Sequence, residues 1–340
     1  MKIGVICPSE IAFRRFMPAL KCVDDIEFIG IGINSVEERF GPNLPSKDVI
    51  NNMLNDEKTK ANNFIENYGG KIFDSYLSVV TSNEIDAVYI PLPPALHYKW
   101  AKKALENGKH VLVEKPATIS YNDTKELLEI ANKNSLAIHE NYMFNFHKQL
   151  DEIDEIIKSG ELGDVRLYRI SFGFPRRSIN DFRYNKMLGG GSLIDAGGYT
   201  LKYATRLLGN TSEIKFAQLN YIDDFDVDIY GSAVLVNQAG TTAQVAFGMD
   251  NDYKCELEIW GSKGTLHTGR VLTAPAGFIP SISIKNNTEI KTRSLSSDDS
   301  FKKSIEFFIN CTKNEELRSK SYSDILKQSQ LIDCFMKMSH

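Results

Sequence analysis

The pattern of hydrophobic and polar positions changes once along the chain, near residue 146. Before that point, short apolar runs rich in β-branched residues alternate with helical patterns, as in a parallel sheet covered by helices. The runs predict strands over Lys2–Cys7, Glu27–Ile33, Ala87–Ile90, His110–Val113 and Leu136–Tyr142. Helices are predicted over Phe13–Leu20, Phe64–Asn67, Lys99–Asn107 and Asn122–Asn132. This part is therefore predicted to be a Rossmann-like α/β domain.

The second part of the chain has longer strands of alternating polarity, which indicate a mainly antiparallel sheet with one covered face. These strands are predicted over Val165–Phe174, Glu213–Tyr221, Ile229–Val236, Thr241–Phe247 and Lys254–Trp260. Helices are predicted over Ser192–Leu208, Phe301–Cys311 and Ser323–Met338. We therefore predict a dinucleotide-binding domain over residues 1–120, completed by residues 121–145, and an α+β domain over residues 146–340.

One connection in the first part is longer than usual. Gly41–Asn62 is polar and rich in Asn, Lys and Asp, and we interpret it as an insertion that is partly helical and partly exposed. Prolines follow the predicted strand ends at Pro91, Pro93, Pro94 and Pro116. Loops are expected there, at the carboxyl edge of the sheet, where open α/β sheets bind ligands.

Charge narrows the class of ligand. The chain has 40 basic and 44 acidic residues and no dense run of either sign, so it lacks the basic surface that binds nucleic acid or anionic lipid. A small neutral or anionic substrate is expected instead. No apolar run is long enough to span a membrane or to form a signal peptide, so we predict a cytoplasmic protein without membrane partners.

Cysteines and histidines give no pattern of a metal site or of a disulfide framework. The five cysteines (Cys7, Cys22, Cys255, Cys311 and Cys334) are scattered and lack CxxC spacing, which agrees with a reducing compartment. Metal-ligand spacing is also absent from the histidines at positions His110, His139, His147, His267 and His340. We assign these histidines to packing or to the surface and predict no metal.

The turn after the first strand is the candidate diphosphate site. On the G-x-G-x-x-G/A frame, Cys7, Ser9 and Ala12 occupy the glycine positions, so small residues remain although both early glycines are gone. Backbone N–H groups at such a turn bind a diphosphate. The candidate contacts are Cys7, Pro8, Ser9, Glu10 and Ile11. The alternative is an ordinary buried strand that ends in a turn.

The end of the second strand bears on the choice of cofactor. NAD enzymes carry an acid there that binds the ribose hydroxyls, whereas this chain continues into Asn34 and Ser35. Without the acid, Asn34, Ser35 and Arg39 are candidates to bind a 2′-phosphate. We therefore expect NADP, or use of both cofactors, rather than strict NAD. In the alternative, the neighbouring Glu37 and Glu38 make Arg39 an ordinary surface residue.

Two groups of residues are candidates for chemistry. Hydride transfer to or from a carbinol needs a partner for the hydroxyl proton, and Lys115, after a predicted buried strand and before Pro116, is a candidate. A glycine-rich stretch then leads into a helix that carries Asp195 and Tyr199 on one face. The alternatives are a solvated lysine, an acid that complements the helix dipole, and a core tyrosine.

Taken together, these segments resemble the Gfo/Idh/MocA oxidoreductase family. The resemblance rests on Val88–His97 (VYIPLPPALH), Gly108–Pro116 (GKHVLVEKP) and the segment from Asp195 to Tyr199 (DAGGY). Supporting segments are Asn141–Phe144 (NYMF) and Gly160–Val165 (GELGDV). Their order and spacing match over nearly the entire chain.

The resemblance implies a Rossmann domain followed by a large open sheet that binds substrate and forms a homodimer or homotetramer. It implies NAD(P)-linked oxidation or reduction of sugars, with Lys115 as the acid/base. Further expected cofactor contacts are Pro91, Leu92, Pro93, His97, Glu114, Lys115 and Arg183. Expected substrate contacts are Lys115, Tyr142, Asp195 and Tyr199. In the alternatives, His97 caps its own helix, and Arg183 is solvated or joins Arg176 and Arg177 in binding a substrate phosphate.

Tyr199 stands where many dehydrogenases of the family carry histidine. A tyrosine there is similar to the branch that contains glucose-fructose oxidoreductase, dihydrodiol dehydrogenase and sugar ketoreductases. The expected reaction is therefore reduction of a keto sugar, with a nucleotide-linked sugar as a candidate substrate. A cofactor-bound protein that senses sugars without turnover and an NAD-dependent glycosidase are the alternatives.

Overall fold

The computed structural model describes residues 1–40 and 44–339 and divides the chain into two compact units. The first unit comprises Met1–Thr118, Asn122–Asn141 and Ser304–Ile325. The second comprises Ile119–Tyr121, Tyr142–Lys303 and the chain from Leu326 onward. Within the part of the chain that the structure describes, no helix is both long and apolar enough to cross a bilayer.

A six-stranded parallel sheet forms the centre of the first unit. Its strands are β1 (Lys2–Ile6), β2 (Glu27–Gly32), β3 (Lys71–Phe73), β4 (Ala87–Ile90), β5 (His110–Val113) and β6 (Ile138–Glu140). The strand order β3-β2-β1-β4-β5-β6 is that of dinucleotide-binding folds. In these folds the chain adds strands to one side of β1 and then, from β4 onward, to its other side. The predicted Rossmann-like fold is confirmed.

Helices cover this sheet. They are α1 (Met17–Leu20, after a π turn at Ala12–Phe16), α2 (Val36–Phe40), α3 (Lys47–Tyr68), α4 (Tyr76–Thr81), α5 (Pro94–Glu106) and α6 (Tyr121–Lys133). The sequence did not predict β3, α2 or α4, which are three to six residues long and too short for a periodic pattern. Pro94, predicted to lie in a loop, is the first residue of α5, where proline is favoured because no N–H is needed.

The predicted insertion at Gly41–Asn62 is mostly helix. Gly41–Asn43 lie outside the described residues, and from Lys47 the chain is helical to Tyr68, so the short helix predicted at Phe64–Asn67 is only the end of α3. The helix buries a narrow stripe of three residues, Glu57, Ala61 and Phe64. Such a stripe at i, i+4 and i+7 suffices to dock a helix although most of its residues are polar.

An eight-stranded sheet forms the centre of the second unit. Its strands are β7 (Val165–Gly173), β8 (Glu213–Asn220), β9 (Tyr230–Val236), β10 (Thr242–Gly248), β11 (Lys254–Gly261), β12 (Thr265–Gly269), β13 (Ser281–Asn286) and β14 (Glu289–Ser294). Their order is β14-β13-β12-β11-β7-β10-β9-β8. Only the β7–β10 pair is parallel among the strands described. The predicted mainly antiparallel sheet is confirmed, although β12 to β14 were not predicted.

One face of this sheet is covered and the other is open. The helices of the C-terminal half of the chain are α7 (Lys148–Lys158), α8 (Gly198–Leu208), α9 (Ser300–Lys313) and α10 (Glu315–Met338). On the covered face, α8 contacts β7 and β10, and the rings of Phe247 and Phe335 lie 5.6 Å apart. On the open face, Arg169 donates from Nε to Gln244 Oε1 at 3.1 Å and from Nη1 to Glu258 Oε1 at 2.7 Å. Gln244 and Glu258 lie on the two strands that flank β7.

The two compact units differ from the predicted domain limits, most of all at the C-terminal helices. Residues 146–340 were assigned to the second domain, but Ser304–Ile325, which spans parts of α9 and α10, belongs to the first unit. Ser304 Oγ lies 2.9 Å from His139 Nε2 and donates to Asn141 Oδ1 at 2.8 Å. Ser321 Oγ donates to the carbonyl of Ile138 at 3.0 Å. These bonds join the helices to β6, a contact distant in sequence that local patterns do not reveal.

Candidate active site

The turn after β1 is tight although it lacks the usual glycine. Cys7 has a φ of 80°, a left-handed conformation that costs a residue with a side chain about 1 kcal/mol or more. Its N–H donates to the carbonyl of Gly32 at 3.0 Å, and Ser9 N–H donates to the carbonyl of Cys7 at 2.8 Å. Burial raises the pKa of the Cys7 thiol to about 11. Cys7 therefore serves as a turn residue with an unreactive thiol.

The helix after this turn offers two backbone donors. Residues 10–20 are helical throughout, and Ser9 Oγ accepts from Ala12 N–H at 3.2 Å as a cap. Among residues 1–40 and 44–339, no atom accepts a hydrogen bond from the backbone N–H group of Glu10 or of Ile11. Free N–H groups at the positive end of a helix suit a diphosphate, so the residues present fit a dinucleotide.

A carboxylate that the sequence did not reveal lies at the end of β2. Glu57, from α3, accepts hydrogen bonds from Asn34 N–H at 3.1 Å, Tyr76 Oη at 3.1 Å and Arg39 Nη1 at 2.9 Å. Its side chain is only 7% exposed. One expectation is corrected: an acid is present at this strand end. Arg39 pairs with this acid because α3 packs there.

Ser35 and Glu38 form a capping box at the start of α2. Ser35 Oγ accepts from Glu38 N–H at 3.2 Å, and Glu38 Oε2 accepts from Ser35 N–H at 2.9 Å. Glu38 also accepts from the N–H groups of Tyr76 and Leu77, at 3.0 and 2.8 Å. The Ser35 hydroxyl thus has a role in the fold, beside its predicted role toward the cofactor.

Lys115 and Glu114 directly follow β5, and both are half-buried. The Lys115–Pro116 peptide bond is cis. Glu114 Oε1 accepts from Tyr89 Oη and from Asn141 Nδ2, each at 2.7 Å. Burial raises the pKa of Glu114, although these two donors and Lys115 oppose that shift. Glu114, a predicted cofactor contact, therefore joins the ends of β4, β5 and β6 and fixes the chain directly before Lys115.

His97, also predicted to contact the cofactor, is fully buried. Its Nδ1 lies 2.7 Å from the carbonyl oxygen of Pro116, and its Nε2 lies 2.7 Å from that of Leu92. Burial lowers the pKa of His97 to about 4. Since backbone atoms occupy both ring nitrogens, His97 is a positioning residue that joins the loop after β4 to the loop after β5.

The predicted residues of the first unit follow the carboxyl ends of four adjacent strands. The turn of Cys7 to Ile11 follows β1, Asn34 and Ser35 follow β2, Pro91 to Pro93 follow β4, and Glu114 and Lys115 follow β5. Carboxyl ends of parallel strands lie at one edge of a sheet, so the fold brings these residues to one edge.

In the second unit, Asp195 and Arg183 form an ion pair. Arg183 Nε donates to Asp195 Oδ2 at 2.6 Å, and its Nη1 donates to Asp181 Oδ1 at 3.0 Å. Burial by itself lowers the pKa of Arg183, but Asp195 and Asp181 raise it above its ordinary value. Arg183, predicted as a cofactor contact, therefore bonds the Asp195 carboxylate and fixes its position.

The glycine-rich segment makes this ion pair possible. A Cβ on Gly190 would lie 2.3 Å from the carbonyl oxygen of Arg183, so only glycine permits that close approach. Gly191 has a φ of 119°, which a residue with a side chain rarely adopts. The turn that carries Arg183 can thus pack against the start of the helix that carries Asp195.

Tyr199 is held by aromatic rings. Its ring centroid lies 5.2 Å from that of Tyr142, 5.3 Å from that of Phe172 and 5.7 Å from that of Phe144. Tyr142, predicted to bind substrate, is only 1% exposed, and its hydroxyl accepts from Gln328 Nε2 at 3.3 Å. Tyr142 therefore supports the half-buried Tyr199 by packing.

Asp228 is a further residue that sequence analysis missed. Its Oδ2 accepts from Ser192 Oγ at 2.6 Å and from Leu193 N–H at 2.7 Å, at the start of the π turn Leu193–Gly197 that carries Asp195. Burial raises the pKa of Asp228. In sequence it belongs to an acidic stretch that is typical of a solvated loop, so no local signal marks it.

The other arginines of the predicted phosphate group have separate partners. Arg176 Nη2 donates to Asp250 Oδ2 at 2.8 Å, and the guanidinium of Arg177 lies 5.1 Å from the ring centroid of Phe174. The alternative that these two arginines and Arg183 bind one substrate phosphate stays a prediction.

The histidines that were assigned to packing or the surface are placed individually. His110 Nδ1 accepts from Ala137 N–H at 2.9 Å, and His147 Nδ1 accepts from Gln149 N–H at 3.2 Å. His267 Nε2 lies 3.2 Å from Glu258 Oε2 on the open face of the sheet. His340 lies outside the described residues.

Two family models match the chain in sequence order. One, described as an oxidoreductase family with an NAD-binding Rossmann fold, covers residues 26–142. The other, a GFO/IDH/MocA C-terminal domain, covers residues 150–267. These matches confirm the predicted oxidoreductase class and a nicotinamide dinucleotide as cofactor.

Relatives match over the whole chain. A dTDP-3,4-didehydro-2,6-dideoxy-alpha-D-glucose 3-reductase of Actinomadura kijaniata is 33% identical over 98% of this chain and 94% of that protein. Its namesake in Streptomyces violaceoruber is 32% identical over 100% of this chain and 96% of that protein. The crystal structure of a 3-ketoreductase from Actinomadura kijaniata with NADP and TDP-benzene matches with a TM-score of 0.90 at 32% identity, covering 100% of this chain and 98% of that one. The chain belongs to the Gfo/Idh/MocA oxidoreductase family.

Proposed function

We propose that this protein is an NADP-linked reductase of a nucleotide-linked keto sugar. The observation that carries the proposal is the similarity, at 32–33% identity over at least 98% of the chain, to proteins named as reductases of a dTDP-linked keto sugar. The matching crystal structure with NADP and TDP-benzene supports both the cofactor and the nucleotide part of the substrate.

The chain's own residues can divide the work of the reaction. The hydride for the carbonyl carbon of the sugar would come from NADPH when this cofactor is bound. Lys115 gives a proton to the carbonyl oxygen, which completes the hydroxyl group, and Tyr199 donates a hydrogen bond to the same oxygen. Asp195, which Arg183 holds in position, accepts a hydrogen bond from a sugar hydroxyl.

Three groups of residues are proposed to bind the cofactor. The turn of Cys7, Pro8 and Ser9 presents the N–H groups of Glu10 and Ile11 to the diphosphate. Asn34, Ser35 and Arg39 bind the 2′-phosphate. Pro91, Leu92 and Pro93 line the nicotinamide end with backbone atoms, and His97 and Glu114 hold the loops around them.

An assay of net reduction tests the proposal. Purified protein is incubated with NADPH and dTDP-linked 3-keto sugars, and both NADPH absorbance and product mass are followed. We expect stoichiometric loss of NADPH and a product heavier by one hydride and one proton. A cleaved glycoside without net cofactor loss would identify a glycosidase instead, and cofactor binding without any product would identify a non-catalytic protein.

We also propose a homodimer or homotetramer formed through the open face of the eight-stranded sheet. Two large apolar side chains on that face, Phe216 and Trp260, are 52% and 51% exposed and are available to an interface. The ladder of Gln244, Arg169 and Glu258 runs between them and can pair with its copy in a symmetric interface.

All five cysteines carry free thiols, which supports the proposed cytoplasmic location.

A further inference from the structure

The polar cluster at the end of β2 contains a charge whose effect differs between the two nicotinamide cofactors. In dinucleotide-binding folds, this strand end binds the 2′ position of the adenosine ribose. Asn34 and Ser35 are neutral, but Asn34 N–H donates to Glu57 Oε1 at 3.1 Å, so a carboxylate from α3 lies directly against them. The inference rests on the proposed function only in assuming that this unit binds NADP(H).

Glu57 is not arranged like the ribose-binding acid of NAD enzymes. It already accepts from Asn34 N–H, from Tyr76 Oη and from Arg39 Nη1, which uses three of the roughly four acceptor positions of a carboxylate. It is also almost fully buried. A ribose hydroxyl would therefore find little acceptor capacity on it.

Arg39, in contrast, keeps most of its hydrogen-bonding capacity. Glu57 contacts it at one atom, Nη1, at 2.9 Å, whereas a guanidinium has about five N–H donors. Arg39 also remains partly exposed. It can bind a 2′-phosphate while it stays bonded to Glu57, and the phosphate then experiences both the attraction of Arg39 and the repulsion of Glu57.

We infer that Glu57 determines cofactor specificity by offsetting the charge of Arg39, which weakens binding of the 2′-phosphate and keeps NADH competitive. NADH carries a 2′-hydroxyl group, whose binding depends little on the net charge of the pair. The residue that restrains the NADP preference thus comes from α3 instead of the end of β2.

The variant Glu57→Gln tests this inference because it removes the charge, although it also replaces the acceptor that faces Arg39 Nη1 with an amide N–H donor. Its side-chain oxygen can still accept from Asn34 N–H and Tyr76 Oη. The dissociation constants of NADPH and NADH are measured by calorimetric titration of the apoprotein with each cofactor. We expect NADPH to bind at least about tenfold more tightly and NADH to change less than about threefold, with the gain shrinking at high salt.

Glu37→Gln is the matched control, because Glu37 is an exposed acid on α2 and its neutralisation alters the overall charge equally. We expect it to leave the ratio of the two constants unchanged. An unchanged ratio in Glu57→Gln would overturn the inference, and so would weaker NADPH binding, which would make Glu57 only an anchor for Arg39. Failure of the wild-type protein to bind either cofactor would instead contradict the proposed function.

Arg39→Gln gives a second test that does not depend on the folding of Glu57→Gln. Without Arg39, the Glu57 carboxylate is uncompensated, so NADPH should bind more weakly than NADH, whose affinity should stay within about threefold of wild type. Equal affinities for both cofactors in Arg39→Gln would show that Glu57 exerts no repulsion and would overturn the inference.

Discussion

At the scale of single residues, Lys115 depends on neighbours that are fixed by the fold. Glu114, before it, accepts hydrogen bonds from Tyr89 and Asn141. The carbonyl oxygen of Pro116, after it, lies 2.7 Å from Nδ1 of His97. The backbone on both sides of Lys115 is thus held at the carboxyl edge of the parallel sheet.

Lys115→Ala should lower kcat by at least about a hundredfold, the usual contribution of a general acid/base, while NADPH still binds. Turnover of the keto sugar and the NADPH dissociation constant are measured together. Lys99→Ala is the control, since Lys99 is an exposed lysine on α5. Turnover close to wild type in Lys115→Ala would remove Lys115 from the proposed mechanism.

Tyr199→Phe should have a milder effect than Lys115→Ala. The substitution deletes the hydroxyl group but keeps the ring that packs against Tyr142, Phe172 and Phe144. A loss of about tenfold in kcat is expected for one hydrogen bond to the reacting oxygen. A loss as large as that of Lys115→Ala would mean that the two groups act as one unit or that Tyr199 supplies the proton.

His97 should make stability depend on pH. Its pKa falls from an ordinary 6.5 to about 4 on folding. Between these values the unfolded chain binds a proton that the folded protein does not, so stability is lost as pH falls through this window. Against a His97→Asn variant, which does not titrate, the advantage of the wild type should shrink by about 3 kcal/mol from pH 7 to pH 4.

Denaturant unfolding of both proteins across this pH range checks the prediction. The comparison with His97→Asn cancels the titration of other groups, such as His110 and His147, whose pKa values burial also lowers. A wild-type advantage that grows on acidification would contradict the prediction and would indicate that both ring nitrogens donate, to Leu92 and Pro116.

At the scale of elements, the π turn Leu193–Gly197 positions Asp195 and begins the helix of Tyr199. At the start of this turn, Asp228 Oδ2 accepts hydrogen bonds from the Ser192 hydroxyl and from Leu193 N–H. Such turns are frequent at functional sites, because they aim side chains differently from a regular helix. The turn is therefore an element whose local stability and catalytic role should be linked.

Asp228→Ala should destabilise the second unit by about 1–3 kcal/mol, because it leaves buried donors without an acceptor, and it should lower kcat. Asp228→Asn should retain more of both, since the amide oxygen can replace Oδ2. Thermal unfolding and turnover are measured for each variant. Asp226→Ala, at an exposed acid of the same loop, is the control and should change stability by less than about 0.5 kcal/mol.

The elements that the sequence predicted are those whose burial follows a simple period. The strand β10 alternates between the covered and the open face, and β4 is buried throughout, so both were predicted within one residue of their bounds. The strand β14 is exposed at every position, and α3 buries only a narrow stripe, so neither gives a strong periodic signal. Pairing with β13 and docking against β2 form these elements.

At the scale of the whole molecule, the open sheet face predicts self-association. Trp260→Glu places a charge beside the ladder of Arg169 and Glu258 on that face, and desolvation of this charge should disfavour assembly. Light scattering after size exclusion should show a wild-type dimer or tetramer and a smaller species for the variant. Ile279→Glu, at another exposed apolar residue outside the strands, is the control. A monomeric wild type would refute the proposed interface.

The sequence by itself determined the two-part architecture, the family and the motif residues, among them Lys115, Asp195 and Tyr199. These features depend on local periodicity and on short motifs, which are readable without contacts. Only the tertiary structure decided how the motif residues are used. Glu57 accepts a hydrogen bond from Arg39, and Asp228 accepts one from Leu193 N–H at the π turn. Both ring nitrogens of His97 lie against backbone carbonyl oxygens. Each is a bond between residues distant in sequence or a consequence of burial, and neither leaves a local pattern.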